Sequence, residues 1–193
     1  MEELLDLLRE EVPREIESRV STADARATGR GRCVQATRVG IETLRYFGIE
    51  ARPMVTLMMT GNEAWVQWML AGQPQPMPDE VWSVGINPEH RPEDRGYPAH
   101  LVMRIGGLLL DLDSGLYARP ERGIHLPPTV LTPFVVQDEG RPIAAVDLPG
   151  GGAVIYHDRS AYAVPPPDFR SIGAWKATAK WAGPVIRRMR ERV

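Results

Sequence analysis

Apolar residues recur at a helical period in two stretches of the first quarter of the chain. In the first stretch, residues 2–20, they are Leu4, Leu5, Leu8, Val12, Ile16 and Val20. In the second stretch, residues 33–47, the small or apolar positions are Cys33, Ala36, Gly40, Leu44 and Phe47. A repeat of three to four residues is typical of an amphipathic helix. We therefore predict a first helix, interrupted at Pro13 because proline donates no N–H, and a second that begins at Cys33. A polar linker, residues 21–32, joins them.

Shorter runs rich in Val, Leu, Ile and Met follow, and Gly and Pro separate them, which predicts strands. The predicted strands cover 51–59, 81–86, 99–105, 108–113, 130–137, 143–148 and 153–157. Two more helices are expected: a short one over 63–71 capped by Asn62, and a terminal one that starts at Asp168 and is kinked by Pro184. Segment 87–98 is polar and proline-rich, which predicts a surface loop that overhangs a site. Helices at both ends and strands between them predict a mixed fold, which we take to be α+β.

Two strands meet at Gly106-Gly107, a pair typical of a two-residue hairpin turn. If these residues form the turn, Ile105 pairs with Leu108, and position 100 faces position 113. Side chains alternate between the faces of a strand, so Asp111 and Asp113 share a face with His100. An acid beside a histidine on one sheet face fixes the imidazole tautomer and supports its charge.

Length and charge limit the classes of protein to consider. The 193 residues, of which 43% are hydrophobic, can bury a core as one domain. We expect a helical lead-in at 1–32, a core at 33–157 and a C-terminal helical segment at 158–193. The net charge is −2 and the pI is near 6.1, so neither nucleic acid nor an anionic membrane is a predicted partner.

The two ends of the chain carry opposite charge. Residues 2–20 hold seven acidic and three basic side chains, a net of −4, and residues 168–193 hold seven basic and two acidic ones, a net of +5. Each end also has an apolar stripe that must be buried. We predict that the first and last helices pack together.

Cys33 is the only cysteine of the chain, so no internal disulfide can form. A single cysteine suits a reducing compartment. The chain has no apolar run near 18 residues, so we expect no membrane span. It shows no secretory leader at the N-terminus, so we expect a cytoplasmic protein. The start of a helix carries free N–H groups and a partial positive charge, which favour a thiolate. The alternative is a small buried apolar side chain.

The residues around Cys33 resemble a known family. G-R-C at 31–33 opens the predicted helix, and L-R-Y-F-G-I-E-A-R at 44–52 ends it. This pattern resembles the nucleophile helix of the transglutaminase-like branch of the papain-like cysteine enzymes. That family carries a histidine on a later strand and an aspartate on the next strand, as 99–105 and 108–113 do here. It commonly has H-A-W where this chain has H-L-V at 100–102.

The resemblance implies a papain-like α+β core, with the helix of Cys33 packed on an antiparallel sheet and terminal helices on its flanks. It implies Cys33 as nucleophile, His100 as base and then acid, and Asp111 as the group that orients His100. Direct cross-strand pairing favours Asp113 as the acid instead. The oxyanion donors expected are the Cys33 N–H and a side chain, for which Gln35 and Gln67 are candidates.

The predicted function is thiol-dependent acyl chemistry on a peptide, amide or ester, by hydrolysis or by transfer to an amine, through a thioester. The alternative is an inactive papain-like scaffold that binds a protein or a ligand. No metal or cofactor is expected, because His90, His100, His125 and His157 lack metal-ligand spacing. The chain also lacks a Gly-x-Ser-x-Gly elbow and a dinucleotide fingerprint. The sequence leaves the oligomeric state open.

Overall fold

A computed structural model of the chain describes residues 1–28, 32–85, 99–136, 141–158, 169–171 and 173–193. Its helices are α1 (Glu2–Arg19), α2 (Thr22–Thr28), α3 (Cys33–Tyr46), α4 (Glu63–Leu70), α5 (Gly173–Thr178) and α6 (Ala182–Arg190). Its strands are β1 (Arg52–Gly61), β2 (Ser83–Gly85), β3 (His100–Ile105), β4 (Leu108–Asp111), β5 (Val130–Pro133), β6 (Pro142–Asp147) and β7 (Ala153–Asp158). Some predicted features lie outside the described residues. They are the loop 87–98 with its His90, residues 29–31 before α3, the ends of the second and fifth predicted strands at 86 and 137, and the helix start at Asp168.

The strands form one antiparallel sheet in the order β5-β4-β3-β1-β7-β6, and β2 pairs with the end of β1. The two ends of this order approach each other, because the Val135 N–H donates to the Ile143 carbonyl at 2.9 Å. The sheet is therefore nearly closed, like a barrel. With the helices it makes a mixed α+β fold.

Helices α1, α3 and α6 cover one face of the sheet. The largest buried cluster joins them to β3 and β4; its members include Leu5, Leu8, Val12, Val39, Leu44, Met103, Leu110, Val185 and Met189. Gly40 lets α3 lie close to the strands, since a Cβ there would be 2.7 Å from atoms of Leu112 and Met103. This close approach brings the N-terminal end of α3 to the sheet.

The acidic and basic ends pack together, as predicted. The Arg188 guanidinium of α6 contacts two acids of α1, Glu11 at 2.5 Å and Glu15 at 3.2 Å. Glu11 is 1% exposed and Glu15 is 5% exposed, so both carboxylates depend on these partners. A second arginine of the C-terminal end, Arg192, also reaches Glu11, at 3.0 Å.

The prediction of a break at Pro13 is wrong, because α1 runs through Pro13 without interruption. Proline costs the helix one hydrogen bond and about 3 kcal/mol. The neighbouring Val12 and Ile16 are buried against α3 and α6, and burying such side chains stabilises by about 1.5–3 kcal/mol each. Tertiary packing thus outweighs the local preference.

Two further boundaries differ from the prediction. The supposed linker contains α2, whose start is capped by Ser21: its hydroxyl accepts from the Asp24 N–H at 3.0 Å. The C-terminal helix is interrupted before Pro184 and not at it, with a 3-10 turn over Ala179–Trp181. Pro184 has no N–H for the carbonyl four residues earlier and its ring crowds that carbonyl, so the chain rearranges in the preceding turn.

Other elements match their predictions. Helix α4 begins after Asn62, whose side chain accepts from the Trp65 N–H at 3.0 Å. The hairpin turns at Gly106-Gly107, and Ile105 pairs with Leu108. None of the helices in the described ranges combines the length and the apolar content that crossing a bilayer requires.

Candidate functional site

His100 and Asp111 lie at the same end of the β3–β4 hairpin. His100 is the first residue of β3 and Asp111 is the last of β4, and both are fully buried. The His100 Nε2 lies 2.7 Å from Asp111 Oδ2. The register places Asp111 opposite Val102, so this contact runs diagonally across the two strands.

Asp111 is held by two more donors. The Tyr156 hydroxyl of β7 donates to Oδ2 at 2.9 Å, and the Asp113 backbone N–H donates to Oδ1 at 2.9 Å. Both carboxylate oxygens are therefore hydrogen-bonded, and the side chain is fixed relative to His100.

Asp113 does not pair with His100, although direct cross-strand pairing favoured it. Strand β4 ends at Asp111, and the chain turns at Asp113 into the 3-10 turn Ser114–Tyr117. The Asp113 carboxylate instead contacts Arg32, whose Nη2 lies 2.8 Å from its Oδ1. Burial, with the nearby charge of Asp111, outweighs Arg32 and raises the pKa of Asp113 to about 6.

Cys33 is the first residue of α3 and is 4% exposed. It belongs to a small buried cluster with Val34, Leu101 and Trp175. The first N–H groups of a helix have no partner inside it, so the thiol sits where backbone donors converge. The packing of α3 on β3 brings it to the His100 side chain.

The His100 ring lies between Asp111 and Cys33. Its Nε2 faces Asp111, while its Nδ1 is buried and has no hydrogen-bond partner among the described residues. Burial opposes protonation of the ring, but the Asp111 carboxylate and the adjacent Cys33 outweigh it and raise the pKa of His100 well above its ordinary value. The imidazole is thus placed to hold a proton next to the sulfur.

Two tyrosines at this site were not identified from the sequence. The Tyr117 ring meets the His100 ring edge-on at 5.5 Å, and the Tyr156 ring lies 6.5 Å from it. Burial, together with the neighbouring Cys33, Asp113 and Asp111, raises the pKa of Tyr117 well above its ordinary value. Burial and Asp111 do the same for Tyr156. Neither lies in a motif, and only the pairing of β1 with β3 and β7 brings Tyr156 here.

The remaining candidate residues are exposed, only half-buried or without a hydrogen-bond partner among the described residues. Gln67 is exposed on α4, and His125 is exposed in the connection after β4. The Gln35 Oε1 on α3 is buried without a hydrogen-bond partner among the described residues. His157 is half-buried on β7, and burial lowers its pKa. Within the described ranges, no three His, Cys, Asp or Glu side chains are grouped so that they could hold a metal ion.

Comparison with protein-family models, with curated proteins and with solved structures finds no match to this chain. The site combines a buried thiol, a neighbouring imidazole and a fixed carboxylate that binds one nitrogen of this imidazole.

Proposed function

We propose that the chain is a cysteine acyl-transfer enzyme with a papain-like, transglutaminase-like core, in which Cys33 attacks an amide or ester carbonyl. The observation that carries this proposal is the position of His100. Its Nε2 is 2.7 Å from Asp111, its buried Nδ1 has no hydrogen-bond partner among the described residues, and Cys33 is one of the neighbours that raise its pKa. A nucleophile, a base and a group that orients the base are the parts that such catalysis needs.

The reaction would proceed in two halves. The Cys33 thiol gives its proton to His100 Nδ1, and the sulfur bonds to the carbonyl carbon. The tetrahedral intermediate then expels the amine or alcohol, which takes the proton from the imidazolium, and a thioester remains. Water or an amine attacks the thioester and gives its proton to His100. That proton returns to the sulfur as the acid or the new amide leaves. Asp111 stabilises the imidazolium in both halves.

The intermediate needs hydrogen-bond donors for its oxyanion. The first is the Cys33 backbone N–H at the start of α3. For the second we propose the Tyr117 hydroxyl in place of Gln35 or Gln67. The Tyr117 ring lies 5.5 Å from the His100 ring, and Cys33 is one of the neighbours that raise the pKa of Tyr117.

The second candidate is an inactive papain-like scaffold that binds a protein or a small ligand. One observation favours it: Cys33 is 4% exposed and His100 is fully buried. In that case Cys33, His100 and Asp111 would form a packed polar cluster with no reaction to perform. The two candidates differ in whether His100 activates the thiol.

Alkylation of Cys33 tests the proposal. Iodoacetamide is small and uncharged, and intact-mass spectrometry counts its additions to the single cysteine. We expect His100→Ala to slow alkylation at pH 7 by about tenfold or more, because the imidazole no longer accepts the thiol proton. Asp111→Asn should have an effect in the same direction, since an amide does not stabilise the imidazolium.

Circular dichroism must find each variant folded for this comparison. Equal alkylation rates in the wild type and in both variants would mean that the thiol is not activated. The scaffold candidate would then be favoured.

A further inference from the structure

Arg32 and Asp113 form a buried contact directly before the nucleophile. Arg32 is 7% exposed and Asp113 is 3% exposed. Asp113 Oδ1 accepts from Arg32 Nε at 3.1 Å and from Nη2 at 2.8 Å, and Oδ2 accepts from the Arg32 backbone N–H at 3.1 Å. Asp113 thus holds both the side chain and the main chain of the residue that precedes Cys33.

The same aspartate is tied to the base. Its backbone N–H donates to Asp111 Oδ1 at 2.9 Å, and Asp111 Oδ2 holds His100 Nε2. A continuous series of contacts therefore leads from Cys33 through Arg32, Asp113 and Asp111 to His100. It connects α3 with the end of β4, two elements that are distant in sequence.

Helix α3 has no cap of its own. Its N-cap residue is Arg32, which makes no side-chain capping hydrogen bond. The Asp113 carboxylate supplies a negative charge to this end of the helix from another part of the chain. Unpaired, that charge would also disfavour a thiolate at Cys33, and the Arg32 guanidinium compensates it.

We propose that Asp113 is a positioning residue for the acyl-transfer reaction: through Arg32 it fixes the start of α3 and so sets the distance between the Cys33 sulfur and the His100 ring. This inference rests on the proposed function of the site. It assigns Asp113 a role different from that of Asp111, which orients His100 directly. A misplacement of about 1 Å between reacting groups lowers a rate by as much as about a hundredfold.

The test is a double-mutant cycle on the alkylation rate of Cys33 by iodoacetamide at pH 7. Its four proteins are the wild type, His100→Ala, Asp113→Asn and the double variant. We expect His100 to accelerate alkylation about tenfold or more in the wild type, and less than about twofold when residue 113 is Asn. A merely structural role would lower the melting temperature and leave the His100-dependent acceleration unchanged.

Glu17→Gln is the matched control. Glu17 binds the same guanidinium from the outer side, and its side chain is 49% exposed. Its loss leaves the contact between Arg32 and Asp113 intact, so the acceleration by His100 should stay within about twofold of the wild-type value.

The outcomes separate the two proposals. No acceleration by His100 in the wild type contradicts the proposed function, and the positioning role with it. Full acceleration in both the wild type and Asp113→Asn overturns the positioning role alone. If Asp113→Asn does not fold, Arg32→Lys decides in the same cycle, because it keeps the positive charge and loses the forked contact. An acceleration reduced by about threefold or more supports the positioning role, and an unchanged one overturns it.

Discussion

At the scale of single residues, Asp113 experiences two opposing charges. Burial and the charge of Asp111 disfavour the ionised carboxylate, and together they outweigh Arg32, which favours it. The pKa of Asp113 therefore rises from an ordinary value of 3.8 to about 6. Between these pH values the folded chain holds a proton at Asp113 that the unfolded chain has released. The contribution of this group to stability is therefore full below about pH 4 and falls as the pH rises through 6.

We predict that the stability difference between the wild type and Asp113→Asn changes with pH in this sense. From pH 4 to pH 6.5 the wild type should lose about 2 kcal/mol relative to the variant, which has no carboxylate at this position. Urea unfolding of both proteins at several pH values measures the difference. Because the other carboxylates are the same in both proteins, the difference isolates Asp113. A constant difference across this range would contradict the prediction.

The sequence predicted part of the site at this scale. The hairpin register placed both aspartates on the His100 side, because Gly106-Gly107 fixes the pairing of neighbouring strands. It did not predict that Asp113 would turn to Arg32, since that depends on where β4 ends. Tyr156 was not predicted at all, because its place beside Asp111 follows from the pairing of β7 with β1, almost 100 residues earlier in the chain.

At the scale of elements, local signals predicted those segments whose causes are local. The start of α3, the Asn62 cap of α4 and the hairpin turn were all confirmed. The interruption at Pro13 was wrong because buried neighbours keep α1 continuous. The capping residues that begin α2 were present in the sequence as S-T-A-D at 21–24 and were missed.

The junction of β1 and β7 gives a prediction at this scale. Gly152 precedes β7, and a Cβ there would lie 2.4 Å from the Gly61 carbonyl oxygen at the end of β1. Backbone atoms cannot move aside as a flexible side chain does. Gly152→Ala should therefore destabilise the protein by about 1–3 kcal/mol and lower its melting temperature.

Gly183→Ala is the control for this substitution. Gly183 lies in α6, and a Cβ there has no atom within 4 Å. Alanine has a higher helix propensity than glycine, so this variant should melt at or slightly above the wild-type temperature. Equal melting temperatures for the two variants would mean that the β1–β7 junction adapts to a side chain.

At the scale of the whole molecule, the contact between α1 and α6 depends on charge as well as on apolar packing. Arg188 holds Glu11 and Glu15, both nearly buried, whereas Arg187 is exposed and has no ion-pair partner in the described part of the chain. The C-terminal arginines thus do not form one accessible basic stripe, because Arg188 and Arg192 face α1.

Arg188→Gln should destabilise the protein by about 1–3 kcal/mol, because it removes the arginine that contacts both buried carboxylates. Glu11 would keep Arg14 and Arg192, and Glu15 would keep Arg19. Arg187→Gln, on the same helix, should change stability by less than about 0.5 kcal/mol. Thermal unfolding compares the two variants. If they destabilise equally, the contact between α1 and α6 rests on its apolar stripe alone.

The position of α6 against α1 also sets the order in which the chain can complete its fold. The ribosome makes the chain from its N-terminus, so α1 emerges long before the last helix exists. The apolar stripe of α1, which includes Leu8 and Val12, stays uncovered until Val185 and Met189 of α6 have been synthesised. Closing so long a loop is slow, and the uncovered stripe is meanwhile open to association with other chains. This layer of the core can therefore assemble only after α6 has been synthesised.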